Sequence, residues 1–534
     1  MTAQRMLIVV GILLGMTLLV IRVVTTANLD HDDSITMLAA TCNQSRYATN
    51  LPTMQWTTAE EWQDYWSVQQ PFCFNSISQG LAQWDIHPPL YFWLLHSWVF
   101  VFGVSIASMG ALNVVLASLT AIMIYLTGKA LEQPPIVCSG MAVIWLLSPA
   151  TLEGATAIRQ YTLLGLTSVV FVWMLIRYHQ QPTPNRAAFL AAAALAGLLT
   201  HYYFGPIILT AALVQSGIIF LRTGQAKALA FEGAAAVASI IAFVVLHPRF
   251  LQSFTRQQEQ NQVFSADAVF SRLGNFLRAL LRFFLPEQVV LDSAVGSVLD
   301  SFVTFMSSQS LIAGVLVGVV LIALTLVGLK HRLFDRFTRD YRTIPGVVGV
   351  VGLIGVGGLY VGHVSQAHTM GPRYLMIVAP LLAVALGNVW HVRKGVPYVL
   401  VVLLALVISS ASIDIWRYHQ QQAKRDLPSV VMEGHPIIVD NTRRGVLPRI
   451  MWPLSPSTPV YAAMQDDILG QFEIATMQSD VFVYINESSY GNTQAKQDQI
   501  FLYFKEHGYQ GTYQEVGVYG VGGVHVFQRT DEGE

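Results

Sequence analysis

The sequence predicts a mainly α-helical, polytopic membrane protein: a membrane helix bundle of about eleven spans, interfacial helices in the first outer loop, and a small C-terminal soluble α/β domain. Three observations carry that prediction. Hydrophobic residues make up 53% of the 534 and charged residues only 12%, with a mean hydropathy of +0.48, well outside the soluble globular range. Apolar runs near the ~20 residues that a helix needs to cross a bilayer recur along the chain as far as Ile413. Beyond Ile413 the composition turns abruptly polar.

The first apolar run, 6–26, has no small-residue cleavage site ahead of the acidic stretch that follows, so it is read as a retained span. Arg22, inside it, is expected to snorkel to the outer surface. Directly after it comes Leu29-Asp30-His31-Asp32-Asp33-Ser34. Ionisable groups at the mouth of a span are costly and mark a candidate site; the plainer alternative is a solvated loop that begins with Asp residues.

The polar first loop carries Glu60-Glu61-Trp62-Gln63-Asp64-Tyr65-Trp66, which suits a short amphipathic helix at the membrane interface, where Trp and Tyr are favoured. The apolar stretch from His87-Pro88-Pro89 to Gly103 is short and contains His96, and is read as interfacial or re-entrant. The alternative topology lets it cross and drops a weak span near Pro206. Full spans are expected at 106–131, 136–152, 158–178, 187–203, 205–221, 228–246, 311–329, 344–361, 374–390 and 396–413. Lys and Arg concentrate in 330–342, at Arg177 and Arg186, at Arg222 and Lys227, and at Arg393 and Lys394, which places these loops in the cytoplasm. The expected division is a transmembrane region over residues 1–414, with outer loops 28–105 and 248–305, and an extracytoplasmic α/β domain over 415–534. Within the latter, 436–439, 481–485, 516–519 and 524–528 read as strands and 495–507 as a helix.

The charge balance of −1 and the lack of a basic run interleaved with aromatics exclude a general attraction to nucleic acid. Of the three cysteines, Cys138 lies in an apolar run as a small core residue, whereas Cys42 and Cys73 share the first outer loop. In an oxidising compartment they could close a loop worth roughly 3 to 4 kcal/mol as a disulfide; two unpaired thiols are the equal alternative.

On this topology the outer turns gather Asp30, Asp32, Asp33, Asp85 and His87, then Glu153, Arg159 and Tyr161, then His201 and Tyr202, then Arg249 and Arg256, then His363, Gln366, His368, Arg373 and Tyr374. Carboxylates and fixed cations on one face suit an anionic, membrane-borne substrate, and the Arg fork can grip two phosphate oxygens at once. His201 and His363 also fit as satisfied interfacial residues. The Gly residues at 352, 355, 357 and 358 lie within a span and read as close helix packing.

The order of an acidic pair after the first span, His87-Pro88-Pro89-Leu90-Tyr91, Ser148-Pro149, Arg159-Gln160-Tyr161, Thr200-His201-Tyr202 and Arg373-Tyr374-Leu375 resembles the GT-C superfamily of membrane glycosyltransferases. Within it the chain looks most like the protein O-mannosyltransferase and aminoarabinose transferase branch. No single motif is specific, and the resemblance covers about the first 400 residues. It implies a polyprenyl-phosphate-linked sugar as donor, a protein, lipid or glycan acceptor in the cell envelope, and an outer-face active site in the cytoplasmic membrane. It also implies catalytic Asp32 as base with Asp33 in place of the family's Glu, and His87, Arg159 and Arg373 near the donor, with Tyr161, His201 and Tyr374 lining the site. The acidic residue usual two places before the second-loop Arg is Ala157 here, so Glu153 is held as a substitute if the turn brings it inward.

The chemistry stands apart from the name. A lipid phosphate is already a good leaving group, so one carboxylate suffices to take the acceptor's proton, and a single displacement inverts the anomeric centre. No cofactor is called for. His31 and Asp33 could help hold a divalent cation, although their spacing matches no metal motif. The alternative from another class is a transporter or flippase of lipid-linked sugars, which calls for mid-membrane charge pairs and broken helices in an internal repeat.

Overall fold

The computed structural model describes residues 3–259, 266–283, 285, 341–363, 371–391, 396–424, 427–441, 444, 447–473, 479–487, 494–514 and 521–530. The expected span 311–329, most of the basic loop 330–342, the strand at 516–519, Gln366 and His368 lie outside the described residues, as do the side chains of Arg256 and His363. By packing, the chain divides into two compact units. One comprises Met1–Val23, Leu81–Tyr91 and Gly110–Trp416; the other comprises Val24–Gly80, Phe92–Met109 and Arg417–Glu534.

The first unit is helical. Among the described residues four helices are long and apolar enough to cross a membrane, Ile106–Ala130, Tyr161–Gln180, Ala226–Leu246 and Tyr341–Val361. A fifth arises if the bent pair Pro135–Leu147 and Pro149–Thr156 counts as one span. The expected 136–152 run is therefore not one straight helix, since it turns by 53° at Ser148. The cause is local: Pro149 disfavours helical geometry at the residue before it, Ser148 is extended (φ −66°, ψ 137°), and its hydroxyl accepts the Thr151 N–H. Pro135, Pro149 and Pro184 each open a helix, where the missing N–H costs nothing.

Close approach helps to hold these helices together. A Cβ at Gly352 would meet Val378 Cγ1 at 2.8 Å, and one at Gly15 would meet Leu146 Cβ at 2.8 Å, which is why small residues recur at such crossings. Trp145 and Tyr178 are fully buried within this core. Arg22 does not snorkel outward: it is buried and forms an ion pair with Asp414, because a partner inside the bundle removes the cost of the charge.

The second unit is built on a six-stranded sheet of order β1-β3-β2-β4-β6-β5. The strands are β1 (Trp56–Thr58), β2 (Ile437–Asp440), β3 (Pro459–Ala463), β4 (Val481–Glu487), β5 (Tyr509–Gln514) and β6 (Val521–Arg529). The β2, β4 and β6 segments coincide with expected strands, and the helix Gln494–Glu506 with the expected 495–507. Strands β2, β3 and β4 run parallel, and β1, β5 and β6 are antiparallel to their neighbours. Strand β1 comes from the loop that follows the first apolar helix and pairs with β3, and Thr57 Oγ1 donates a hydrogen bond to the Val460 carbonyl across 403 residues.

That pairing overturns the interfacial reading of the loop's aromatics. The segment forms the helix Ala59–Gln63 and a 3-10 turn Asp64–Trp66, but Trp62, Tyr65 and Trp66 are buried in protein. Trp62 donates to Thr57 Oγ1, Trp66 stacks edge-on against Trp452, and Gln63 donates to the Leu454 carbonyl. The loop buries its aromatics against chain that folds far downstream. The Leu90–Phe102 helix has 13 residues, about 20 Å at 1.5 Å each and short of the ~30 Å hydrocarbon core.

In this sheet His525 on β6 lies opposite Tyr484 on β4 and packs edge-on to Phe501. Burial pulls its imidazole down from 6.5 to about 4. Between those values the unfolded chain binds a proton that the folded chain does not, so stability is full above the unfolded pKa and is lost as pH falls. The slope approaches about 1.4 kcal/mol per pH unit in that window. Thermal unfolding should therefore occur at lower temperature at pH 5 than at pH 7, and His525→Gln, which removes the titrating ring, should shrink that difference. An unchanged difference in the variant rejects the assignment.

Candidate functional site

The acidic stretch and the helix-end cluster belong to different units, and each has its own geometry. In the second unit the helix His31–Ala40 begins inside the acidic stretch. Asp30 is its N-cap, and the Asp33 carboxylate accepts the Asp30 N–H at 3.4 Å to complete a capping box. Asp33 is thus buried in a helix-starting role. Asp32, half-buried in the same first turn, lies where the helix dipole favours negative charge.

The first unit brings His87, Arg159, Tyr161, His201, Arg373 and Tyr374 into one continuous run of contacts, with Asp85 between His87 and Arg159. The Pro149–Thr156 helix ends with the Ala157 N–H on the Glu153 carbonyl, and the Arg159 N–H turns back onto Ala157 O at 2.7 Å. That tight turn buries Arg159, whose guanidinium lies 3.7 Å from Asp85 Oδ2. The Asp85 Oδ1 atom accepts the Ile86 N–H at 2.6 Å and lies 3.7 Å from His87 Nε2. On the other side of that ring, Gln160 Nε2 donates to His87 Nδ1 at 3.0 Å. The tautomer follows: the ring proton sits on Nε2, facing Asp85.

His201 ends the Pro184–Thr200 helix in extended backbone, and its Nδ1 accepts the Tyr203 N–H at 3.2 Å. Its ring centre is 5.8 Å from that of His87 and 6.1 Å from that of Tyr161. Arg373 and Tyr374 lie on the 3-10 helix Pro372–Ile377. The Arg373 guanidinium sits 5.7 Å above the Tyr161 ring and 5.5 Å above the Tyr374 ring, and the two rings meet edge-on at 5.3 Å. Cation–π contacts of this kind contribute roughly 0.5–2 kcal/mol and fix the plane of the cation.

Glu153, held as a substitute for the acidic residue replaced by Ala157, lies beside Gly371 in this region and pairs with Arg282. A Cβ at Gly371 would lie 3.7 Å from both Glu153 Oε1 and Arg373 Nε, and Glu153 Oε2 is 3.5 Å from Arg282 NH2. Arg249, by contrast, is exposed. Tyr202 hydrogen-bonds His247 Nε2 at 2.8 Å.

Three participants escaped the sequence reading. Arg282 left no motif. Gln160 sits inside the Arg-Gln-Tyr motif and was passed over. Asn113 was detectable, as a lone amide in an apolar span. It is fully buried, accepts the Tyr91 hydroxyl at 3.0 Å and donates to the Ala157 carbonyl at 2.6 Å. It thereby ties the His-Pro-Pro-Leu-Tyr segment to the turn that carries Arg159. Asn113→Ala strands both partners, each at about 1–3 kcal/mol, so the Tm should fall. An unaltered Tm would reject the tie.

Fold and site together define a helical membrane protein with a buried cation and carboxylate cluster at the ends of its helices. No protein-family model and no curated protein sequence matches the chain. Among solved structures it is similar to ArnT from Cupriavidus metallidurans bound to undecaprenyl phosphate, with 10% identity, 98% of each chain covered and a TM-score of 0.47. It is also similar to the oligosaccharyltransferase AglB from Archaeoglobus fulgidus in complex with an inhibitory peptide and a dolichol-phosphate, with 11% identity, 98% of this chain and 74% of that one covered, and a TM-score of 0.43. Likenesses at such identities and scores carry no argument about activity or site residues.

Proposed function

We propose that this chain is an inverting glycosyltransferase that moves a sugar from a polyprenyl-phosphate donor to an acceptor hydroxyl at the outer face of the cytoplasmic membrane. The observation that supports this most is the cluster just described: Arg159 and Arg373, each immobilised, gathered with Asp85, His87, His201 and two tyrosines from four separate helix ends. Immobilised guanidinium groups suit a phosphate that gains negative charge as it leaves. Asp32 takes the base role from the sequence resemblance and from its half-buried, helix-starting position.

In the proposed step the acceptor oxygen attacks the anomeric carbon, the sugar–phosphate C–O bond breaks, and Asp32 takes the hydroxyl proton. The products are a glycosylated acceptor and a free polyprenyl phosphate. The division into a catalytic region, residues 1–414, and an acceptor-side domain, residues 415–534, belongs to the same proposal. Whether the sugar is a hexose or a pentose is set by pocket contacts.

One observation favours the transporter alternative, namely the broken helix at Ser148. Purified protein, in detergent and reconstituted into sealed vesicles, given a labelled polyprenyl-phosphate sugar and a panel of envelope acceptors, separates the two. A new glycosidic bond supports transfer; movement of intact donor across vesicles with no new bond supports transport and sinks the transferase.

A further inference from the structure

The buried histidine of the first outer loop has a chemistry that the proposed reaction does not use. His96 is 0% exposed, and its Nδ1 lies 2.8 Å from the Ala40 carbonyl. A carbonyl can only accept, so the ring proton is on Nδ1 and Nε2 carries the lone pair. Cys73 Sγ lies beside the ring, 3.6 Å from Nε2 and 3.8 Å from Nδ1, and Cys42 Sγ is 4.0 Å from Nδ1. Cys73 is bonded to Cys42, and a disulfide sulfur carries no hydrogen. In this form the sulfur gives that buried acceptor no proton.

The arrangement is that of a metal site with its sulfurs joined. The three ligand atoms, Cys42 Sγ, Cys73 Sγ and a His96 ring nitrogen, all lie within 4.8 Å of one another. Zinc bonds of ~2.3 Å to sulfur and ~2.05 Å to nitrogen at a tetrahedral angle put S and N about 3.6 Å apart and two sulfurs about 3.8 Å apart, both within the 4.8 Å spread of these atoms. The Nδ1–H to backbone carbonyl bond is the support that orients a metal-bound imidazole and raises its basicity. Cys42 is half-buried, which leaves a solvent path for a fourth ligand. The backbone is already held in the left-handed region at Cys42 (φ 66°) and at Phe72 (φ 55°), next to Cys73. Such geometry is kept where the surrounding fold imposes it.

We propose that Cys42, Cys73 and His96 form a redox-gated site for a thiophilic divalent cation, zinc by preference, with the disulfide and the metal as alternative closures of the same loop. A dithiol supplies two electrons and two protons to the disulfide and becomes a disulfide itself; a phosphine supplies the two electrons and becomes the phosphine oxide, with water giving the two protons and the oxygen. The cation then displaces the two thiol protons and takes two thiolates, the His96 Nε2 lone pair and one water. The sulfurs need only separate from the ~2.0 Å of a disulfide to about 3.8 Å.

The test uses the full-length protein in detergent, reduced with a phosphine under nitrogen and titrated with Co2+. One equivalent should bind, with thiolate-to-cobalt charge-transfer absorption and tetrahedral ligand-field bands, and Zn2+ should displace it. The oxidised protein should show neither. His96→Ala should still form the disulfide when oxidised, confirmed by peptide mass, and should bind cobalt at least about tenfold more weakly when reduced. Zn2+ should raise the Tm of the reduced wild type and leave that of Cys42→Ser/Cys73→Ser unchanged. The proposal is overturned by reduced protein without thiolate–cobalt absorption, by equal binding in the double variant, by undiminished affinity in His96→Ala, or by unfolding on reduction that zinc does not reverse.

Discussion

Asp32→Asn should lower glycosyl transfer by about 10²–10⁴-fold, the usual contribution of a positioned general base, while the protein still binds the lipid-linked donor. The amide matches the carboxylate in size and is well tolerated at a helix start, and Asp32 contributes its backbone carbonyl, not its side chain, to the Thr36 hydroxyl at 2.9 Å. The fold therefore has little reason to change. What is lost is the ability to take a proton from the acceptor. Asp33→Asn is the internal contrast, because its side-chain oxygen can still accept the Asp30 N–H, so its loss should stay below about tenfold if Asp33 only caps the helix. Single-turnover transfer from a labelled donor, with donor binding measured on the same samples, decides both. Wild-type turnover in Asp32→Asn with a dead Asp33→Asn would move the base to Asp33.

The second large effect is expected at Arg373. Arg373→Gln should lower kcat by about 10²–10³-fold, the scale seen when one fixed donor to a developing anion is removed. Ground-state donor affinity should change less, because the charge on the phosphate grows as the bond breaks. Arg373→Lys restores the charge without the planar fork that lies over Tyr161 and Tyr374, so it should recover only some of the loss. If kcat were unchanged in Arg373→Gln and only KM rose, the residue would be a binding group and not a stabiliser of the leaving phosphate. The contacts between Arg373, Tyr161 and Tyr374 make a further distinction available: Tyr161→Phe retains the ring beneath the guanidinium and should leave kcat within a few fold.

Much of this site was readable from the chain because its residues sit at the ends of helices, and helix ends are announced locally. Proline at a first turn and the switch from apolar to polar composition put His87, Arg159, His201 and Arg373 at the ends of apolar runs. Four local motifs then named the side chains that meet in the first unit. The sequence reading failed where the partner is remote or the side chain serves two masters. Asp33, read from its place in the acidic pair as a catalytic residue, also caps its helix, and only the hydrogen bond to the Asp30 N–H reveals that role.

The amino-acid order alone determined a helical membrane protein with a polar α/β segment at its end, most of the strands of that segment, and the set of charged groups offered at the helix ends. Hydropathy, turn chemistry and propensity act over a few to about twenty residues, so a short window contains the cause. Tertiary contact settled the rest: the pairing of Trp56–Thr58 with Pro459–Ala463, the burial of Trp62 and Trp66, the union of Cys42 with Cys73, the Arg22–Asp414 pair, and Asn113 as the tie between two motifs. Each depends on segments far apart in sequence finding complementary surfaces. Closing such long loops is repaid only when the whole unit packs, so no local pattern carries the outcome.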